Sequence, residues 1–210
     1  MRLLLHICCA PCSVACIDQL RSEGTEPTGF WYNPNIHPVK EYKKRKTTLI
    51  DYARDISMKL IVENDYGLRD FIDHVYPRYE ARCAWCYQCR LEETARYAAE
   101  NGYDAFSTTL LISPYQKHEL IKRTGENMAQ KYGITFAYRD FRPHFQEGQE
   151  QAKALGLYRQ QYCGCIFSEE DRFLEGKKDL VTFQKFNNGR YDNRKKKTGH
   201  KEQSLEDREN

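Results

Sequence analysis

The amino-acid sequence predicts an α/β fold in which a parallel β-sheet is flanked by helices. Short apolar runs typical of buried strands alternate along the chain with helical patterns, and this alternation is typical of parallel sheets. A length of 210 residues and a hydrophobic fraction of 40% are enough for one domain with a sizeable core.

Strands are predicted where short runs of Leu, Ile, Val and aromatic residues end at turn-forming residues. The first run is rich in Leu, and the second ends at Asn33-Pro34-Asn35. The predicted strands are Arg2–Ile7, Gly29–Tyr32, Leu60–Val62, Ala105–Leu111 and Ile134–Tyr138.

Helices are predicted where apolar residues recur every three or four positions. Val14, Ile17 and Leu20 have this spacing, and Gly102 and Gly133 each end a later helix. The predicted helices are Ser13–Ser22, Val39–Leu60, Glu92–Asn101 and His118–Tyr132, with a loop-rich stretch before Glu92 and a mostly helical part up to about Gly176.

The C-terminal segment 187–210 is predicted to be a disordered charged tail. Its only large apolar residues are Tyr191 and Leu205, against seven Lys or Arg and five acidic residues. Such a composition cannot bury enough apolar surface to order the chain. The remaining residues, 1–186, are predicted to form a single catalytic domain.

The charged residues of the whole chain nearly balance, because 33 Lys and Arg face 30 Asp and Glu for a formal charge of +3. This excludes a uniformly basic surface, so a nucleic-acid partner would have to bind a local patch. No apolar run reaches the roughly 18 residues of a membrane span, and the apolar start is too short for a signal peptide. We therefore expect a cytoplasmic protein without a membrane partner.

Nine cysteines fall in three clusters, which indicates a shared metal or redox centre rather than a disulfide framework. The clusters are Cys8, Cys9, Cys12 and Cys16, then Cys83, Cys86 and Cys89, and finally Cys163 and Cys165.

The pairs Cys8–Cys9 and Cys83–Cys86 together supply four thiolates, the usual set for zinc or for a [4Fe–4S] cluster. Adjacent cysteines cannot readily bridge each other, whereas the spacing Cys-x-x-Cys directs two thiolates at one metal. Cys12 lies at the start of a predicted helix, where thiol pKa values fall. We expect it to stay outside the cluster and to face the substrate.

The third motif, Cys163-Gly164-Cys165, favours a redox-active pair. The central glycine permits the geometry of a strained small-ring disulfide, and strained disulfides are the labile ones. The alternative is a structural pair that is packed or binds a metal.

Loops at the carboxyl ends of the predicted strands are expected to converge on one crevice, where open α/β sheets bind ligands. Asn33, Asn35 and His37 follow the second strand and are candidate substrate contacts, and His6 is expected to be buried behind the site. The basic run after them supplies candidate phosphate contacts, which are Lys43, Lys44, Arg45 and Lys46. The histidines assigned to the surface are His74, His118, His144 and His200.

Taken together, these motifs resemble those of the QueH-type epoxyqueuosine reductases. The resemblance covers nearly all of the chain before about residue 176, although Cys89 is not part of the family pattern. The matching stretches are 6–12, 32–38, 41–42 with 44–46, 82–90, 105–111, 113–116, 140–143, and 157–158 through 163–165.

The resemblance implies a Rossmann-like domain with a [4Fe–4S] cluster and, beside it, a second, mononuclear iron. Because Cys12 lies just past the Cys8–Cys9 pair at a helix N-terminus, we expect it to hold that iron. It implies a cobalamin-independent oxidoreductase that removes the epoxide oxygen of epoxyqueuosine in tRNA, the last step of queuosine biosynthesis. The reaction consumes two electrons from an unidentified donor, and no hydride-cofactor motif is visible in the sequence.

Other functions are compatible with the same cysteines. Four thiolates could form the zinc site of a non-catalytic RNA-binding module, and the enzyme could act on the free nucleoside instead of tRNA. A tRNA-thiolating enzyme would require ATP, but no Gly-rich phosphate loop follows the first strand.

Overall fold

The structure is a computed structural model and describes residues 1–174. Five parallel strands form one sheet in the order β3-β2-β1-β4-β5. The strands are β1 (Leu3–His6), β2 (Pro27–Trp31), β3 (Leu60–Val62), β4 (Ala105–Thr108) and β5 (Thr135–Phe136). This confirms the predicted fold class and all five predicted strands, with ends that differ by up to three residues.

Helices connect and flank the strands. They are α1 (Ala10–Ser22), α2 (Val39–Asp55), α3 (Leu68–Val75), α4 (Arg82–Glu100), α5 (His118–Tyr132), α6 (Phe145–Ala154) and α7 (Ile166–Leu174). Short 3₁₀ turns at Tyr79–Ala81, Thr109–Ile112 and Arg142–His144 complete the described elements.

The central strand β1 is fully buried and pairs with β2 on one side and β4 on the other. Leu3 lies opposite both Pro27 and Ala105, so the three strands start at the same level, and β2 runs one residue further than the other two. The chain continues outward through β2 and β3 on one side of β1 and through β4 and β5 on the other. The strand order therefore reverses beside β1, and its carboxyl end is the expected position of a ligand crevice.

Three predicted helix boundaries differ from the structure by three residues or more. The helix predicted to start at Glu92 starts ten positions earlier, at Arg82, and α3 lies in the stretch predicted to be rich in loops. The first helix starts at Ala10 rather than Ser13, so Cys12 is part of its first turn. The helix that begins at Val39 ends at Asp55, before its predicted end at Leu60.

Residues Met1–Glu169 form one compact unit, and a second unit begins at Glu170. The described part of the second unit is the last turn of α7, up to Leu174. The predicted domain boundary at residue 186 and the predicted tail, 187–210, lie outside the described residues. Within residues 1–174, no helix is both long and apolar enough to cross a membrane.

Candidate active site

A buried polar layer ties together the carboxyl ends of the three central strands. The Nδ1 atom of His6 lies 2.9 Å from the Thr108 hydroxyl, and its Nε2 atom lies 3.3 Å from Asn33 Oδ1. Burial, with a smaller effect of the positive charge of Arg90, lowers the pKa of His6 to about 4. The imidazole is therefore neutral at pH 7, and His6 is buried behind the crevice as expected.

Three thiols lie close together just beyond the carboxyl end of β1. Cys8 follows β1, Cys9 is the N-cap of α1, and Cys12 lies in its first turn. Their sulfurs all lie within 4.8 Å of one another, and those of Cys8 and Cys9 are 3.9 Å apart. The Thr109 hydroxyl, just beyond β4, lies 3.6 Å from the Cys8 sulfur. The loop after β1 and the start of α1 thus place three sulfur donors close together at the switch point of the sheet.

The three thiols of this set differ in acidity. Hydrogen bonds from the Cys12 and Cys9 thiols hold the pKa of Cys8 well below its usual range. The neighbouring Cys8 sulfur raises the pKa of Cys12, and burial raises the pKa of Cys9. Cys8 is therefore the thiol of the three that loses its proton first.

Gln160 contacts two of these three thiols and was not among the predicted site residues. Its Nε2 atom donates to the Cys9 sulfur at 2.9 Å and lies 3.7 Å from the Cys12 sulfur. Its Oε1 atom is buried without a hydrogen-bond partner. The only sequence signal was its position between Tyr158 and the third cysteine motif.

The second cysteine motif occupies the start of α4. Cys83, Cys86 and Arg90 share one face of this helix, because residues three and four positions apart are neighbours on a helix. Arg90 is 2% exposed, and its Nη2 atom donates to the Cys86 sulfur at 2.9 Å. The buried guanidinium of Arg90 therefore stabilises negative charge on the Cys86 sulfur.

The third motif lies against the same region, and both of its thiols are free. Cys163 is exposed, whereas Cys165 is buried. The Nε2 atom of Gln116 donates to the Cys163 sulfur at 3.1 Å, and Gln116 in turn accepts from the Tyr87 hydroxyl at 2.6 Å. Gly164 has a φ of +156°, at the limit of the region that favours glycine.

The predicted substrate contacts after β2 are buried. Asn33, Asn35 and His37 are each at most 2% exposed. Asn33 donates to the Ile7 carbonyl at 2.9 Å, and the backbone N–H of His37 donates to the Gly164 carbonyl at 2.8 Å. This turn is therefore hydrogen-bonded to the backbone of both the first and the third cysteine motifs. Direct contact of its side chains with a substrate stays a prediction.

One of the four predicted phosphate contacts is corrected by the structure. Lys43 and Lys44 are exposed, and Lys46 donates to Asn64 at 2.7 Å. Arg45 is 1% exposed, because its guanidinium is enclosed by protein partners on α2 and beside Cys163. It cannot meet a phosphate from that position.

Three other residues also have defined positions. His118 was assigned to the surface but is 6% exposed and lies 3.0 Å from the Tyr138 hydroxyl. Cys16 is fully buried and donates to the Cys12 carbonyl, one helical turn back. Burial raises the pKa of Cys89 to about 11, and its sulfur lies 3.8 Å from the Tyr32 hydroxyl.

Of the candidate metal ligands in residues 1–174, only Cys8, Cys9 and Cys12 form a group with all donor atoms within 4.8 Å. Cys83 and Cys86 lie outside that distance, and Cys12 lies inside it. A cluster of four irons is larger than a single ion and spreads its thiolates over several iron atoms. The donor set is therefore chemically suited to soft metal centres, with Cys12 beside Cys8 and Cys9 rather than apart from them.

A parallel α/β sheet with three close thiols at its switch point, linked by hydrogen bonds to two further cysteine motifs, is typical of a cysteine-based oxidoreductase or metalloenzyme. A family model described as "Epoxyqueuosine reductase QueH" matches residues 3–171. The chain belongs to this family, which confirms the resemblance inferred from the sequence.

Named relatives agree with this assignment. The epoxyqueuosine reductase QueH of Dehalococcoides mccartyi is 40% identical over 172 residues, which are 82% of this chain and 94% of that protein. The Thermotoga maritima protein of the same name is 36% identical over 181 residues, covering 80% and 91% of the two chains. The Haemophilus influenzae protein of that name is 35% identical over 179 residues, covering 81% and 72%.

A solved structure described as a predicted subunit of tRNA methyltransferase from Methanocaldococcus jannaschii also aligns with this chain. It is 15% identical with a TM-score of 0.47, over 72% of this chain and 74% of that chain. A likeness this distant says nothing about function.

Proposed function

We propose that this protein reduces epoxyqueuosine in tRNA to queuosine. The observation that carries the proposal is the linkage of all three cysteine motifs by hydrogen bonds. Gln160, in the segment of the third motif, donates to the Cys9 sulfur, and Gln116 joins the Cys163 sulfur to Tyr87, the neighbour of Cys86. Membership of the epoxyqueuosine reductase QueH family supplies the substrate. The nucleoside is therefore expected to enter this crevice while it is still part of the tRNA.

The reaction is a two-electron deoxygenation. The epoxide takes up two electrons and two protons, both carbon–oxygen bonds break, and an alkene and one water leave. Oxidation of the Cys163 and Cys165 thiols to a disulfide releases two electrons and two protons, so the pair can store what one turnover consumes. An external thiol or other reductant then returns the pair to the dithiol, and no cobalamin is required.

The other cysteines fit a metal centre. We assign Cys8, Cys9, Cys83 and Cys86 to a [4Fe–4S] cluster and Cys12 to a second, mononuclear iron. Such a cluster supplies one-electron transfer, and a lone iron supplies a Lewis acid for the epoxide oxygen. The closeness of the Cys8 and Cys9 sulfurs and the shared helix face of Cys83 and Cys86 support this assignment.

The protein's own groups prepare these sulfurs. Arg90 and Gln160 donate to the sulfurs of Cys86 and Cys9, so each stabilises negative charge on a thiolate away from water. Gln116 does the same for Cys163, the exposed member of the redox pair. Cys163 is therefore placed to exchange electrons with an external reductant.

The proposal is tested by incubating anaerobically purified, reduced protein with tRNA carrying epoxyqueuosine, then digesting the tRNA and weighing the nucleosides. We expect queuosine to form, and the protein to be brown with about four irons at the cluster site. A colourless protein with one zinc and no turnover would identify the RNA-binding module instead. Equal rates on the free nucleoside would remove tRNA as the required substrate, and a strict need for ATP would indicate thiolation.

A further inference from the structure

A charged pair is buried in the middle of α2. Arg45 is 1% exposed and Glu41 is 9% exposed, and the Nε atom of Arg45 donates to Glu41 Oε1 at 2.7 Å. The second carboxylate oxygen, Oε2, accepts from the Tyr158 hydroxyl at 2.6 Å. The carboxylate thus balances the guanidinium charge and leaves the two Nη groups for other acceptors.

Those two groups bind the segment that carries the redox cysteines. Nη1 donates to the Cys163 carbonyl at 2.8 Å, and Nη2 donates to the Tyr162 carbonyl at 3.0 Å. One planar guanidinium therefore sets the orientation of two consecutive peptide groups, which a lysine ammonium cannot do in the same way.

The next residue of the loop is held as firmly. The Gly164 carbonyl accepts from the backbone N–H of His37 at 2.8 Å, and the Gly164 N–H donates to the Ser168 hydroxyl at 3.1 Å. A Cβ atom at Gly164 would lie only 3.4 Å from Arg45 Nη1. The backbone between the two cysteines is thus packed directly against the guanidinium.

A gain in folding stability does not explain why this ion pair is buried. Taking two charges out of water costs several kcal/mol per ion, and their attraction often does no more than offset that cost. Besides Glu41, the hydrogen-bond partners of Arg45 are the carbonyls of Tyr162 and Cys163, which flank the Cα atom of Cys163. The hydrogen bonds of the buried guanidinium therefore fix the backbone conformation of this one turn.

We propose that Arg45 is a positioning residue that holds the Cys163–Cys165 turn in its dithiol arrangement and so sets the potential of the pair. A disulfide across one residue requires the two intervening peptides to turn, and the Cys163 carbonyl belongs to the first of them. A hydrogen bond that holds this carbonyl while both thiols are free opposes that turn. The inference rests on the redox role proposed above and adds the residue that tunes it.

The test measures the dithiol–disulfide equilibrium directly. The protein is equilibrated without oxygen in thiol–disulfide buffers of graded potential, alkylated and digested with trypsin. Cleavage after Arg159 and Arg172 releases residues 160–172, whose only cysteines are Cys163 and Cys165. The ratio of doubly alkylated peptide to disulfide peptide, by mass spectrometry, gives the equilibrium constant without any turnover.

Three variants separate the explanations. The double variant Glu41→Gln/Arg45→Met removes the hydrogen bonds to the loop without leaving a buried unpaired charge, and Arg45→Lys keeps the charge but not the fork of donors. Tyr158→Phe is the matched control, because it removes a hydrogen bond to Glu41 and leaves both hydrogen bonds to the loop. Circular dichroism and iron content confirm that each variant is folded and loaded.

We expect the double variant to form the disulfide about tenfold more readily, a potential lower by about 30 mV for this two-electron couple. Arg45→Lys should shift it in the same direction, and Tyr158→Phe should match the unaltered protein. An unchanged or higher potential in the folded Arg45 variants would overturn the inference. If the potential depends on Arg45 but no queuosine forms, the proposed reaction fails and this inference stands.

Discussion

At the scale of single residues, each cysteine motif has its own polar neighbour. Thr109 lies beside Cys8, Arg90 donates to Cys86, and Gln116 donates to Cys163. Hydrogen bonds to charged sulfurs are stronger than those between neutral groups, and they help to set the potential of iron–sulfur centres. These neighbours therefore stabilise negative charge on thiols whose positions the sequence already indicated.

Cys12 and Cys16 provide a matched pair on α1, because both are buried thiols but only Cys12 belongs to the group of three. We expect Cys12→Ser to keep the visible absorption of the cluster and to lose turnover by about a hundredfold or more. A Lewis acid is worth several kcal/mol, and each 1.4 kcal/mol is a factor of ten in rate. Cys16→Ser should keep both properties. Loss of the cluster in Cys12→Ser would make Cys12 a cluster ligand.

Gln160 and Gln161 provide a second matched pair, because they are adjacent and only Gln160 contacts sulfur. We expect Gln160→Leu to lower the reduction potential of the metal centre by some tens of millivolts, at about 59 mV per tenfold change for one electron. The reason is the loss of the hydrogen bond to Cys9. A redox titration followed by electron paramagnetic resonance measures the shift. Equal potentials for Gln160→Leu and Gln161→Leu would exclude this role.

At the scale of elements, the position of the thiols depends on how closely the helices pack. Gly148 of α6 packs on Ala15 of α1, and a Cβ atom at Gly148 would lie 2.9 Å from the Ala15 Cβ. Because Cys9 and Cys12 lie at the start of α1, this packing bears on the site. The helix that carries Cys12 thus packs closely against a helix that carries no cysteine.

A larger side chain at Gly148 tests that packing. Gly148→Leu should destabilise the protein by about 1–3 kcal/mol, since added methylenes in a packed interface force the helices apart. The melting temperature should fall by several degrees, at about 2–4 °C per kcal/mol for a chain of this size. Gly148→Ala, which adds a single methyl, should have a smaller effect. If Gly148→Leu has the same melting temperature as the unaltered protein, α1 and α6 are not tightly packed.

The strands could be predicted from the sequence, whereas the start of α4 could not. The strands were predictable because β1, β2 and β4 are short apolar runs with clear ends. The first half of α4 was missed, because its buried face includes Arg90, which breaks the apolar period. This buried charge has local partners, since Arg90 donates to the carbonyl and to the sulfur of Cys86, both at 2.9 Å.

The candidate site divides in the same way. The three cysteine motifs were visible in the sequence because their spacings are unusual. Gln160 and the role of Arg45 were not, because a lone glutamine or a basic run has no distinctive pattern until the chain folds. The burial of Arg45 depends on the carbonyls of Tyr162 and Cys163, more than a hundred positions away.

At the scale of the whole molecule, a net charge of +3 leaves tRNA binding to local contacts. Lys43 and Lys44 are exposed on α2, the helix that also carries Arg45. The Nζ atom of Lys44 lies 3.8 Å from the centre of the Tyr158 ring. A chain of contacts through Tyr158, Glu41 and Arg45 connects this lysine to the third cysteine motif.

Neutralising these two lysines should therefore weaken tRNA binding without changing the chemistry. We expect Lys43→Gln/Lys44→Gln to raise the KM for tRNA and leave kcat and cluster absorption unchanged. The slope of log affinity against log salt should fall by about 0.7–0.9 for each phosphate that the variant no longer neutralises. Lys59→Gln is the control, because Lys59 precedes β3 and so lies at the opposite edge of the sheet from the site. Affinity and salt slope are measured by titrating labelled tRNA at several salt concentrations. An equal effect of Lys59→Gln would mean that overall charge, rather than this patch, attracts the RNA.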